Sequence, residues 1–161
     1  MDTSDFFNYP NQQSSNTDDS DAFFSNATDQ DWQTLLSFTS TRRFEADDLI
    51  ISRGDTDNSL SFIAEGELEV LIEKGFRKKL SRLACINTGS IIGEQSFLDK
   101  QPRSVHIRAI TQGQLFRLDR EAFTVLSARH PNLAIKLLHE LARILSLRLR
   151  NTTKLLMRSR N

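Results

Sequence analysis

The sequence predicts a mainly β domain with flanking helices, one short before the strands and one long after them. Three observations carry this expectation. Between Thr41 and Asp119 apolar residues recur with a period of two, as in Leu60, Phe62 and Ala64, in Leu68, Val70 and Ile72, and in Val105, Ile107 and Ala109. Turn signals punctuate the same region at 53-RGDTDN-58, Gly66, Lys74-Gly75, 87-NTG-89 and 111-TQGQ-114. After Leu118 the pattern turns helical and stays so. Many short strands separated by turns at roughly eight- to twelve-residue spacing argue for a small antiparallel barrel or sandwich.

Residues 1–27, with 11-NQQSSNTDDSD-21 at their centre, are polar and acidic. Such a segment cannot bury enough apolar surface to offset its ordering entropy, so a disordered or loosely attached tail is expected, with the domain proper at 28–161. The aromatic pairs Phe6-Phe7 and Phe23-Phe24 stand out, either as docking groups or as incidental surface rings. Thr28 then caps a short helix, 29-DQDWQTLLSF-38, whose early aspartates suit the positive helix end. The strands follow, over about 41–119. Asp119 caps 120-REAFTVLSARH-130, and Pro131 suits the first turn of a last helix reaching Met157. In that helix Ile135, Leu138, Ala142, Leu145, Leu149, Thr152 and Leu156 alternate at three and four residues, a coiled-coil seam. Leu137, Leu141 and Ile144 make a second apolar face. One face is expected on the strands and the other against a second copy, giving a two-fold homodimer.

Composition excludes several classes. The chain has 161 residues, 21 basic and 21 acidic side chains, and one cysteine. An intrachain disulfide and a paired-cysteine metal site are therefore impossible, which fits a reducing compartment. No apolar run approaches a membrane span and no signal-peptide pattern opens the chain, so a soluble cytoplasmic protein is expected. Charge is uneven: residues 1–31 hold seven aspartates and no Lys or Arg, leaving 14 acidic against 21 basic residues in the remainder. The pairs and triplets 42-RR-43, 77-RKK-79 and 158-RSR-160 are scattered and read as solvated faces. The basic residues from Lys136 to Arg160 could meet phosphate or an acidic partner, the chain's own tail included. His106, His130 and His139 lack metal-motif spacing, Cys85 reads as a core or near-core thiol, and no Ser/His/Asp constellation appears. No metal, no cofactor and no enzyme activity are expected.

The chemistry concentrates in 91-IIGEQSFLDKQPRSV-105. A glutamate behind two isoleucines and an arginine behind a proline need partners if buried: each other, water or a ligand. Arg103 offers a planar fork suited to phosphate or carboxylate, and the Glu94 carboxylate suits a hydroxyl. Gly93 lets a ligand approach the backbone at the start of the helical turn 94-EQSFL-98, whose N–H groups favour an anion. The residues together suggest a pocket for an anionic sugar.

From about Phe44 to Thr153 the chain resembles the cyclic nucleotide-binding domain of bacterial catabolite-activator-type regulators, kinase regulatory subunits and cation channels. Gly93, Glu94, Ser96, Phe97, Leu98, Pro102, Arg103 and Ser104 match its phosphate-binding cassette, and 53-RGDTDNSLSFIAEGELEV-70 and 87-NTGSIIGE-94 match its flanks. The resemblance implies an eight-stranded antiparallel β-roll (a double-stranded β-helix or jelly roll). It implies that Arg103 binds the cyclic phosphate and Glu94 the ribose 2′-hydroxyl. Ser104 and the amides near Gln95 and Ser96 would complete the cradle, with Leu68 and Leu83 as further contacts. Gln95 departs from the usual apolar residue. Arg148, where bacterial activators carry a Thr-Ser pair, is the candidate lid over the base, with Asn151 and Thr152 as weaker ones. The implied ligand is cAMP, with cGMP as the other candidate. The implied role is a sensor whose last helix shifts on binding to signal to an effector protein. A helix-turn-helix DNA reader is not expected in this chain, although a reader outside it, or a ligand-independent adaptor role, would fit the same sequence.

Overall fold

The computed structural model describes residues 23–24, 26–74 and 79–158. In order these form α1 (Asp29–Ser37), β1 (Ser40–Phe44), β2 (Leu49–Ile51), β3 (Leu60–Glu65), β4 (Leu68–Lys74) and β5 (Lys79–Ile86). There follow β6 (Ile91–Ile92), α2 (Glu94–Asp99), β7 (His106–Ala109), β8 (Gly113–Leu118), α3 (Arg120–Arg129) and α4 (Pro131–Arg158). Helix starts follow their capping chemistry. Thr28 and Asp31 form a reciprocal capping box on α1, and the Asp119 side chain accepts from Ala122 N at the start of α3.

The expected mainly β, eight-stranded closed roll is not what forms. The strands make two separate antiparallel sheets of four, ordered β1-β8-β3-β6 and β2-β7-β4-β5. Strands this short cannot carry one ladder around a corner: β6 has two residues and β2 has three. Register also breaks at Leu49/Ile51, Ile63/Glu65 and Val70/Leu71, so pairing stops or bends where closure would demand continuity. The four helices hold more residues than the eight strands, so the class is mixed α/β.

The layers are helices, first sheet and second sheet. Phe44, Ile63, Ile92 and Leu115 of the first sheet meet Ile50, Ile51, Leu68, Ile107 and Ala109 of the second. On its other side the first sheet presents Leu60, Phe62, Ile91 and Leu118 to Leu35, Phe97, Leu126, Leu137, Leu141 and Ile144 of the helices. Strand β3 is therefore buried on both faces, and Ser61 and Ile63 are as hidden as the apolar residues that alternate with them.

Much of the expected tail lies outside the described residues, Phe6 and Phe7 included. Phe23 and Phe24, by contrast, are core residues at 1% and 4% exposure. Phe23 packs on Phe62 and Trp32 with ring centroids 5.7 and 5.9 Å apart, and Phe24 meets Trp32 edge-on at 5.2 Å. The backbone N–H of Phe24 donates to Glu140 Oε1 on α4 at 2.8 Å, and Lys136 of α4 holds Asp31 at 2.8 Å.

The outer face of the second sheet carries a charged clasp. Glu69 on β4 is buried and accepts from Arg108 Nε on β7 at 2.8 Å and from Arg82 Nε on β5 at 2.5 Å. Cys85, expected in or near the core, is exposed. It pairs in register with Glu69, so it shares the outward face of an edge strand. The hydrogen bond from Arg108, then that from Arg82, hold the Glu69 carboxyl below its ordinary value of 4.5 despite burial. A depressed folded-state pKa stabilises above the unfolded value and loses that contribution as pH falls through the folded value. Stability measured by urea titration is expected to fall as pH drops below about 4.5, and Glu69→Gln is expected to flatten that part of the profile.

Candidate ligand-binding site

Between β6 and β7 the chain turns through Gly93, α2 and a loop to Arg103. Gly93 sits at φ 83°, in the left-handed region. A Cβ there would lie 2.4 Å from Arg103 Nη1 and 2.6 Å from the Ser59 carbonyl. That close approach is what lets Arg103 bury to 5% exposure.

The guanidinium is held mainly by neutral oxygens. Nη1 donates to the Gly93 carbonyl at 3.0 Å, and Nη2 to the Ser59 carbonyl at 2.8 Å and to Ser59 Oγ at 3.3 Å. Asp57 Oδ2 lies 3.4 Å from Nη2. The loop before β3 also grips the Arg103 backbone. Gly54 N donates to Arg103 O, and Arg103 N donates to Asp55 O, both at 2.8 Å. Asp57 and Ser59 are shared with a second arginine: Arg117 Nη2 reaches Asp57 Oδ1 at 3.1 Å and Arg117 Nε reaches Ser59 Oγ at 2.9 Å. Burial pushes the Asp57 carboxyl up, but the Ser59 amide and hydroxyl and Arg117 outweigh it and hold the pKa low.

Glu94 and Arg103 do not pair with each other. Glu94, at 5% exposure, pairs through Oε1 with Arg148 Nη1 of α4, and Arg148 Nη2 donates to the Ile91 carbonyl at 3.1 Å. The expected lid residue thus closes on the cassette's own carboxylate. Helix α2 is gripped from α3 too. Arg120 donates to the Phe97 carbonyl and lies over the Phe97 ring at 5.6 Å, while Phe123 meets that ring edge-on at 5.2 Å. Gln95, the departure from the family pattern, accepts from Ser104 Oγ through Oε1 at 2.9 Å.

The structure therefore brings Gly93, Glu94, Gln95, Arg103, Ser104 and Arg148 together, with Ser96 buried on α2. It separates two others. Leu68 is fully buried in the core between the sheets, and Leu83 is 56% exposed on edge strand β5. Asn151 and Thr152 are exposed on α4. His106 is mostly covered rather than free. Its Nδ1 accepts from Arg53 N at 3.2 Å, and Nε2 lies 3.5 Å from Glu73. Among the described residues no cluster of His, Cys, Asp or Glu could hold a metal ion.

Sequence reasoning missed Asp57, Ser59 and Arg117. Asp57 and Ser59 read only as part of a turn, although an aspartate two residues before a serine is an Asx-turn signal, here realised by Ser59 N donating to Asp57 Oδ1 at 3.0 Å. Arg117 gave no local signal, because its partners lie 58 and 60 positions away.

A family profile described as the cyclic nucleotide-binding domain matches residues 41–130. The chain is 32% identical over 119 residues to the cyclic AMP receptor protein of Thermus thermophilus, covering 71% of this chain and 51% of that protein. It is 30% identical over 115 residues to glutaminase 2 of Bradyrhizobium diazoefficiens, covering 71% of this chain and 18% of that one. Among solved structures, a cyclic nucleotide-binding domain from Methylobacillus flagellatus superposes with a TM-score of 0.76 at 27% identity, over 83% of this chain and 74% of that one. The chain thus spans about half or less of the length of these curated relatives. The protein belongs to the cyclic nucleotide-binding domain family. It is a sensor module of the kind that binds cAMP- or cGMP-type ligands, with a long C-terminal helix packed on the sensor. No helix among the described residues is long and apolar enough to cross a membrane.

Replacing Gly93 tests how closely the site is built. Gly93→Ala is expected to cost about 1–3 kcal/mol in urea melts, from the left-handed φ and the contact with Arg103. The Arg103 Nε–Hε resonance should shift in the same variant.

Proposed function

We propose that this protein is a cytoplasmic cAMP sensor in which Arg103 receives the cyclic phosphate and Glu94 the ribose 2′-hydroxyl. Ser104 and the backbone amides of Gln95 and Ser96 complete the cradle, and the sensing unit runs over 28–161. The observation that carries this reading is the near-complete burial of Arg103 on carbonyl oxygens. Its one carboxylate, Asp57 at 3.4 Å, is shared with Arg117, so a phosphate would supply the counter-charge that the two arginines divide. Glu94 links the ligand to the output. It accepts from Arg148, so a sugar hydroxyl arriving at Glu94 changes the hold on α4. Re-docking of α4 then alters the surface offered to an effector protein, provided the ligand binds one helix position more tightly than the other.

Calorimetry with cAMP and cGMP side by side tests the ligand. cAMP is expected to bind, and Arg103→Ala to weaken it by about 2–4 kcal/mol, roughly 30- to 1,000-fold. Absence of binding by either nucleotide at millimolar concentration, with no rise in melting temperature, would favour the adaptor reading instead.

A second element of the proposal is a homodimer through α4. Its outward face exposes Ile135, Leu138 and Leu149 at 55%, 37% and 68%, while Leu137, Leu141 and Ile144 are buried against the body. Sedimentation equilibrium is expected to give a dimer that Leu149→Glu converts to monomer. A monomer at all concentrations would remove this element.

A further inference from the structure

Arg117 lies on β8 of the first sheet, outside the cassette that runs from Gly93 to Ser104. Even so it meets the same two groups as Arg103, and it holds both of them more closely. Asp57 Oδ1 accepts from Arg117 Nη2 at 3.1 Å, whereas Asp57 Oδ2 stands 3.4 Å from Arg103 Nη2. Ser59 Oγ accepts from Arg117 Nε at 2.9 Å and from Arg103 Nη2 at 3.3 Å.

This arrangement occupies the serine and the aspartate. A hydroxyl has one hydrogen and two lone pairs. Ser59 Oγ gives its hydrogen to Asp57 Oδ2 at 3.0 Å, and the two arginines take its lone pairs. Asp57 Oδ1 also accepts from Ser59 N at 3.0 Å. Each carboxylate oxygen is therefore aimed at Ser59 or Arg117, with Arg103 standing further off. The balance at the carboxyl agrees with that geometry. Burial raises it, and the Ser59 amide and hydroxyl, followed by the Arg117 bond and charge, bring it below its ordinary value.

Exposure separates the two cations. The Arg103 side chain is 4% exposed, while those of Arg117 and Asp57 are 42% and 47% exposed. An ion pair at Arg103 is therefore the less screened of the two that Asp57 could make. Without Arg117, the nearest cation left to the carboxylate is Arg103, which would then carry its counter-charge before any ligand arrived.

We infer that Arg117 is a positioning residue of the anion site: it draws Asp57 and Ser59 toward itself and so leaves the Arg103 charge to a phosphate. The inference rests on the reading that Arg103 receives the cyclic phosphate. Arg117 acts through Asp57, so its effect on binding depends on whether that carboxylate is present.

Calorimetry with cAMP on wild type, Arg117→Gln, Asp57→Asn and the double variant tests this dependence. Glutamine keeps an amide donor for Ser59 and removes the charge, and urea melts of each variant show that it folds. Arg117→Gln is expected to weaken cAMP binding at least about five-fold, within the range of coupled neighbours. Asp57→Asn is expected to strengthen binding at least about five-fold more in the Arg117→Gln background than in wild type, because only there does the carboxylate sit on Arg103. In the ligand-free chain, the Arg103 Nε–Hε resonance is expected to shift in Arg117→Gln and to move back in the double variant. Equal gains from Asp57→Asn in both backgrounds mean that the charges act independently, and they overturn the inference. So does an Arg103 resonance that stays in place, or Arg117→Gln binding as tightly as wild type. If wild type binds neither cAMP nor cGMP, the cyclic-phosphate reading itself falls, and the ligand role of Arg117 falls with it.

Discussion

A guanidinium at 5% exposure is the constraint around which this domain is arranged. An ionised group that deep must be hydrogen-bonded on every side or it destabilises the fold by several kcal/mol. Two backbone carbonyls, at Gly93 and Ser59, do most of that work for Arg103, and each imposes a condition on the chain. The first requires a glycine with left-handed φ just before α2. The second requires the start of β3 to lie against the cassette, which fixes the preceding loop through Gly54 and Asp55. Arg117, brought by β8, completes the enclosure through Ser59 and Asp57.

The cassette helix is consequently short but not loose. It is held at Glu94 by α4, at Phe97 by α3 and at Gln95 by the residue that follows Arg103. Any movement of α2 is felt by both C-terminal helices, because their contacts are directional bonds to particular atoms as well as apolar packing. The two arginines that make those contacts, Arg120 and Arg148, lie on opposite sides of the Pro131 junction. The α3–α4 corner and the cassette therefore form one mechanical unit.

Local chemistry was readable from the sequence and long-range closure was not. The helix caps at Thr28 and Asp119, the turn at Gly93 and the place of Glu94 and Arg103 in one cassette all follow from neighbours within a few residues. Whether eight strands close into a roll or stop as two sheets depends on register breaks and on a two-residue β6, which alternation alone cannot reveal. Cys85 illustrates the same limit: its place in an alternating pattern was correct, but which face looks outward is fixed by its partner Glu69. Phe23 and Phe24 were ambiguous for a different reason. Their acidic, polar surroundings resemble a solvated tail, and only the aromatic wall of Trp32 and Phe62 turns them inward. Arg117 and Asp57 were invisible because residues sixty positions apart leave no local trace of each other.

The geometry of α4 has a mechanical side. Its last fully buried side chain among those described is Ile144, and beyond it the helix continues to Arg158. Ile144 is thus a fulcrum with unequal arms. Arg148, where the cassette takes hold, stands about 6 Å along the helix from that point, whereas the far end stands about 21 Å away. A displacement of about 1 Å at Arg148 becomes roughly 3.5 Å at the tip if the helix pivots rigidly. A re-docking of α4 that left the packed core in place would on this geometry move its far end several times further than its hold on the cassette.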